Sequence, residues 1–210
     1  STSVPAAMAT RAHARRARRN GRSIMAVRRK GSPANEPISA LHMFSERIIT
    51  WQRVHGRHDL PWQGTRDPYR IWLSEVMLQQ TQVASVIPYY RRFVERFQDV
   101  EALAVATADE VLSAWAGLGY YSRARNLHRC AQVIATEHAG QFPRSAAELA
   151  RLPGIGRSTA AAIAAFAFGE RAAILDGNVK RVLERHYAIS DHPGALPVER
   201  ALWAIAEQQL

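Results

Sequence analysis

The chain is 210 residues long, 47% hydrophobic and 22% charged, with a formal net charge of +10. That is enough for one real core or two small ones. No apolar run approaches the roughly 20 residues needed to span a bilayer, so no membrane partner is expected, and a single cysteine, Cys130, excludes an internal disulfide and a cysteine-built metal cluster.

The charge is unevenly spread. Residues 1–35 carry nine Arg or Lys and no Asp or Glu, which leaves 19 of the 28 basic residues against 18 acidic ones in the rest. The basicity lives in a tail. Its RAHARRARRNGR run is Arg-rich and poor in large apolar residues, so residues 1–36 are expected to be disordered. Three roles fit such a tail: sequence-independent nucleic-acid binding, an organellar transit peptide, or a leader without function, with Met25 or Met43 as the true start.

From SPANEP (32–37) onward the pattern is helical. In ISALHMFSERIITWQRV, Ile38, Leu41, Phe44, Ile48 and Trp51 recur at near-helical spacing. HGRHDLPWQGTRDPY (55–69) reads as a loop, with two Pro and two Gly. Further helices are expected at about 70–80, 83–97, 107–116, 121–138, 145–151, 157–168, 178–187 and 197–209, separated by FQD, LGY, GQFP, LPGIG, LDG and DHPG. No two-residue alternation predicts a sheet, so the fold class is all-α, built of short helices and short turns. The eight histidines lack metal-ligand spacing and are read as surface or structural.

Four stretches could carry chemistry. In WLSEVMLQQT (72–81), Glu75 is the only charged residue, and a helix places Ile71, Trp72, Leu78 and Gln79 beside it. From this window alone an ordinary exposed Glu is the better reading. RLPGIGRSTAAAIAAF (151–166) puts Gly154 and Gly156 between two helices and Ser158 and Thr159 in the first turn of the second. Glycines allow positive φ and close approach, and the unpaired first-turn N–H groups suit a phosphate. A plain helical corner is the alternative. In AILDGNVKRVLERH (173–186), Asp176 is either a simple N-cap or a second functional carboxylate. LGYYSRARNLHR (118–129) interleaves Tyr120, Tyr121, Arg123 and Arg125, which suits phosphates and wedging into a duplex, or a solvated Arg face with a core Tyr. DLPWQ (59–63) presents Trp62 on a loop.

SEVMLQQTQV, LPGIGRSTAAAI and ILDGNVKRVL, in that order, resemble the MutY-type adenine DNA glycosylases of the helix-hairpin-helix superfamily that includes endonuclease III. The resemblance runs from about residue 38 to 210. It implies base-excision repair of adenine mispaired with 8-oxoguanine or guanine in double-stranded DNA, by a monomeric enzyme that flips the base and hydrolyses its N-glycosidic bond. Glu75 is implied as the acid that protonates adenine and then assists water, and Asp176 as the carboxylate that stabilises the oxocarbenium-like sugar, with Asn178 in support. This is the two-carboxylate logic of glycoside hydrolysis, and a desolvated Glu75 would hold a proton near neutral pH. Ser158 occupies the place of the nucleophilic Lys in the bifunctional relatives, which implies little or no strand cleavage. Leu60, Trp62 and Gln63 are implied in the adenine pocket. Gln79, Gln80, Tyr120, Leu152, Gly154, Gly156 and Arg157 are implied on the DNA side.

The organisation expected on this basis is a helix-hairpin-helix, six-helix domain over 61–174 and a discontinuous second lobe of 37–60 and 175–210. That lobe is expected to be incomplete, because the family's four [4Fe-4S] cysteines and its 8-oxoguanine-reading domain have no counterpart here. The cellular setting implied is the bacterial cytoplasm and nucleoid, or an organelle if the tail is a transit peptide. Two alternatives remain: an endonuclease III-like glycosylase/lyase, and a helix-hairpin-helix module that only binds DNA.

Overall fold

The computed structural model describes residues 38–190 and 194–210, and the expectations for the basic tail and for His192 fall outside those residues. Ten helices and no strand occur among the described residues, in keeping with the all-α expectation.

The central element is α2 (Pro68–Leu78). Asp67 caps it: its carboxylate accepts from the Tyr69 N–H at 2.9 Å, and Pro68 occupies the first position, where an N–H would lack a partner anyway. Apart from Arg70 and Glu75, every residue from Tyr69 to Met77 is buried. A helix apolar on nearly all sides must be surrounded. It packs against α3 (Val83–Arg96), α6 (Tyr121–Glu137) and α8 (Arg157–Phe168). Ala160, Ala161, Ala162 and Ala164 on α8 are buried along with Ile163, and the alanines' short side chains let α8 lie close to both α2 and α7 (Ala146–Leu149).

Two shorter helices, α4 (Val100–Val105) and α5 (Ala108–Trp115), cover α6. Thr107 and Glu110 start α5 with a reciprocal capping box. The periodicity did not separate α4 from its surroundings. It is only six residues long, and its clearest signal is Asp99, whose carboxylate accepts from the Ala102 N–H at 2.7 Å. The expected helix at 145–151 is shorter in the structure, because its last residues form the turn into α8.

A first core runs from Tyr69 to Ala167 and a second from Leu175 to Ala206. The second gathers α9 (Gly177–His186) and α10 (Leu196–Gln208). The N-terminal helix α1 (Ile38–His55) joins it through Phe44, whose ring lies 4.2 Å from His186, and through Ser45, which donates to Gln209.

The α7–α8 turn is tight. Gly154 has φ +75°, and a Cβ there would lie 2.6 Å from Asn126 Cβ on α6. Gly156 has φ −83° and open space around it, so the expected positive φ applies to the first glycine and not the second. We expect Gly154→Ala to cost about 2 kcal/mol or more in thermal or denaturant unfolding, from strained φ and the clash together, whereas Gly156→Ala costs less than about 1 kcal/mol.

Candidate active site

Glu75 is partly buried on α2. Its helical neighbours Ile71 and Trp72 are buried, and Leu78 and Gln79 are half-buried. Little water reaches the carboxyl, and burial raises its pKa from 4.5 to about 7, with the negative charge of Asp176 pushing in the same direction. The two carboxyls are thus within electrostatic reach of each other despite lying 101 positions apart in the sequence.

Asp176 is exposed and ends the segment leading into α9. One of its oxygens accepts from the Asn178 N–H at 2.9 Å and the Val179 N–H at 2.8 Å. The residue therefore is an N-cap, and its negative charge also acts on Glu75. An N-cap role and a role as a second functional carboxylate do not exclude each other. The cap fixes the side chain's rotamer. Asn178 contributes its backbone to this cap, while its side-chain oxygen accepts from Arg181.

Ser158 supports the same carboxylate from behind. Its hydroxyl accepts from the Leu175 N–H at 3.2 Å, the residue just before Asp176. The hairpin helix of the first core thereby holds the chain that carries the second carboxylate. Arg157, expected on the DNA side, is exposed, pairs with Glu207 and lies 3.6 Å over the Trp203 ring, both on α10. Leu152 is likewise turned inward, a core residue at 6% exposure. Gly156 caps α8 without a side chain, so the first-turn N–H groups of Arg157, Ser158 and Thr159 face outward with no intrahelical acceptor.

The remaining expected residues fall into two places. Gln79 ends α2, and its amide reaches Thr159 on α8 at 3.4 Å. Gln80 follows in a left-handed conformation, φ 55°, and Tyr120, φ 50°, stands exposed at the start of α6. Left-handed backbone costs a residue with a side chain roughly 1–2 kcal/mol. In the 57–63 loop, Gln63 accepts from the Leu60 N–H and donates to the Arg57 carbonyl, so its amide holds the loop itself. Trp62 packs edge-on against Tyr90 of α3, 5.3 Å between ring centroids.

Arg123 is the residue that the sequence reading placed wrongly. Its alternation with tyrosines suggested a phosphate contact, but its guanidinium turns inward onto backbone carbonyls. A four-cysteine cluster has no ligands among these residues. The sole cysteine is buried in α6, with burial pushing its thiol pKa up to about 12, and no metal-binding cluster of His, Cys, Asp or Glu occurs among the described residues. No described helix is long and apolar enough to cross a membrane.

Comparison with known proteins points one way. The family described as "HhH-GPD superfamily base excision DNA repair protein" matches residues 73–208. An adenine DNA glycosylase of Buchnera aphidicola subsp. Baizongia pistaciae is 47% identical over 165 residues, covering 79% of this chain and 46% of the relative. The human adenine DNA glycosylase is 42% identical over 189 residues, covering 81% of this chain and 34% of the relative. The chain therefore spans between about a third and a half of these curated relatives. Among solved structures, a thermostable thymine-DNA glycosylase superposes with a TM-score of 0.73 at 31% identity, covering 81% of this chain and 78% of that one. An endonuclease III bound non-covalently to DNA shares the fold, with a TM-score of 0.65 at 23% identity over 83% and 84% of the two chains.

The raised pKa of Glu75 has a thermodynamic signature. The folded state resists ionising this carboxyl and the unfolded chain does not, so ionisation favours unfolding as pH rises from about 4.5 to about 7. Glu75→Gln removes that penalty. Denaturant unfolding should show the variant close to the parent at pH 4.5 and more stable by about 1–3 kcal/mol at pH 8. An equal difference at both pH values would mean that Glu75 is solvated.

Proposed function

The chain belongs to the HhH-GPD superfamily of base excision DNA repair proteins, and from that membership we propose that it removes adenine mispaired with 8-oxoguanine or guanine in duplex DNA, acting as a monomer. The observation that carries the reading is the pair of unlike carboxyls: Glu75, pKa about 7, beside Asp176, which is tied to two backbone amides. Burial makes Glu75 fit to carry a proton, and the helix start holds the Asp176 side chain in one place.

Adenine leaves poorly as an anion. In the proposed reaction Glu75 gives its proton to a ring nitrogen of the flipped base as the bond to the sugar breaks. Asp176 stabilises the positive charge that develops on the sugar. The Glu75 carboxylate then takes a proton from the water that attacks the sugar carbon, which returns it to the acid form. Ser158 offers a hydroxyl where the strand-cleaving relatives carry an amine, and that hydroxyl is occupied by Leu175, which favours hydrolysis over a covalent enzyme–sugar intermediate. Phosphates fit the open first turn of α8. Gln79, Gln80 and Tyr120 serve as wedges that offset the few kcal/mol of unstacking, while Leu60, Trp62 and Gln63 border the base. The basic tail would add salt-sensitive affinity for nucleoid DNA.

Single-turnover adenine release from a duplex with one 8-oxoguanine:adenine pair tests this directly. Glu75→Gln and Asp176→Asn should each slow release by about 10²-fold or more, while duplex binding persists. The parent's rate should fall as pH rises through about 7, because the acid form of Glu75 is lost. Borohydride should trap no protein–DNA adduct. A folded parent that binds the duplex and releases no adenine would favour a binding module, and a trapped adduct would favour the lyase reading.

A further inference from the structure

Arg123 makes more contacts to other elements than the reading so far uses. It lies in the first turn of α6, half-buried. One terminal nitrogen donates to the carbonyls of Val76 and Met77, each at 3.0 Å, and to that of Gln79. Val76 and Met77 belong to the last turn of α2, whose carbonyls the helix itself leaves unpaired, and Gln79 is its C-cap. The other nitrogen donates to the Thr81 hydroxyl at 3.1 Å and reaches the carbonyls of Leu118 and Gly119 at 3.5 Å. The guanidinium also faces the rings of Trp115 and Tyr120, at 5.5 and 5.2 Å.

The pattern has a focus. Gln80 and Tyr120 are both exposed and both left-handed, a conformation disfavoured by any residue with a Cβ. The carbonyl directly before Gln80 belongs to Gln79, and the one directly before Tyr120 belongs to Gly119. Arg123 bonds both. Strained residues persist where surrounding contacts over-determine them, and here one planar cation supplies contacts to two separate loops.

We propose that Arg123 is a positioning residue that locks Gln80 and Tyr120 into one rigid two-pronged wedge before DNA arrives. The inference rests on the base-flipping reading above. It differs from simple stabilisation, because it assigns to Arg123 the geometry of two side chains that share no hydrogen bond with each other. Lysine cannot replace it: a single ammonium has three donors on one atom and cannot span both loops in plane.

The experiment uses duplexes with 2-aminopurine opposite 8-oxoguanine, whose fluorescence rises on unstacking, and single-turnover adenine release on the matching adenine duplex. The proteins are the parent, Arg123→Lys and Thr81→Val, the last removing one acceptor and leaving the core intact. Fluorescence is read in a Glu75→Gln background so that flipping is separated from chemistry. Arg123→Lys should lower both the fluorescence rise and the release rate about tenfold or more, as expected for displaced positioning groups, and Thr81→Val should lower them less. Affinity for undamaged duplex and the circular dichroism spectrum should stay near the parent's. Unchanged flipping in both folded variants overturns the inference and leaves the glycosylase reading standing, as does a loss that merely follows the fraction unfolded. Absence of fluorescence change and of adenine release in the parent overturns that reading and the inference with it.

Discussion

A carboxyl group kept away from water has to be surrounded, and much of this structure can be traced to surrounding Glu75. Desolvation is costly for a carboxylate and cheap for a carboxylic acid, so the site selects the proton-bearing form. That needs a helix with protein on several sides. α2 has α3, α6 and α8 against it, and the run of buried residues from Tyr69 to Met77 is what such a placement demands of its sequence. The alanines of α8 follow, since bulkier side chains would hold the hairpin off α2. So does Gly154, which lets the turn before α8 come up against Asn126.

Asp176 sits in the opposite surroundings. It is exposed, at a helix start, with two amides on one oxygen. Placing both groups on one element would have given them similar surroundings. Their separation between two cores lets each keep its own environment while the charge of Asp176 still acts on Glu75. Ser158 joins the two arrangements: it belongs to the first core's hairpin and accepts from the residue preceding Asp176. Arg157, its neighbour, fastens the same helix to α10.

The helices were legible because periodicity and punctuation agreed along most of the chain. α4 escaped because six residues give too little period to detect, and its cap at Asp99 is one polar residue in a polar break. The carboxylates were harder. The window around Glu75 favoured an exposed side chain, and only its company with two distant motifs turned that reading round. Burial of the group is a tertiary fact. The arginines show the same limit: both Arg123 and Arg157 look like free surface cations in sequence, yet Arg123 turns onto carbonyls within the fold and Arg157, still exposed, pairs with Glu207 and stacks on Trp203. A guanidinium's long apolar stem and planar head permit either fate, and nothing local in the sequence chooses between them.

The division of the acid and the anion between two cores has a consequence for dynamics. The link between the lobes described here consists of few polar contacts, among them one hydroxyl–amide bond and one partly exposed ion pair stacked on an indole. Such a seam opens at a free energy below that of global unfolding. Transient parting at this seam would move the Asp176 charge away from Glu75 and lower its proton affinity while every helix stayed intact. The protonation state of the acid is thus a local gauge of lobe closure. Amide exchange at Leu175 and titration of Glu75 would report the same opening, one through a backbone proton and the other through a side-chain proton.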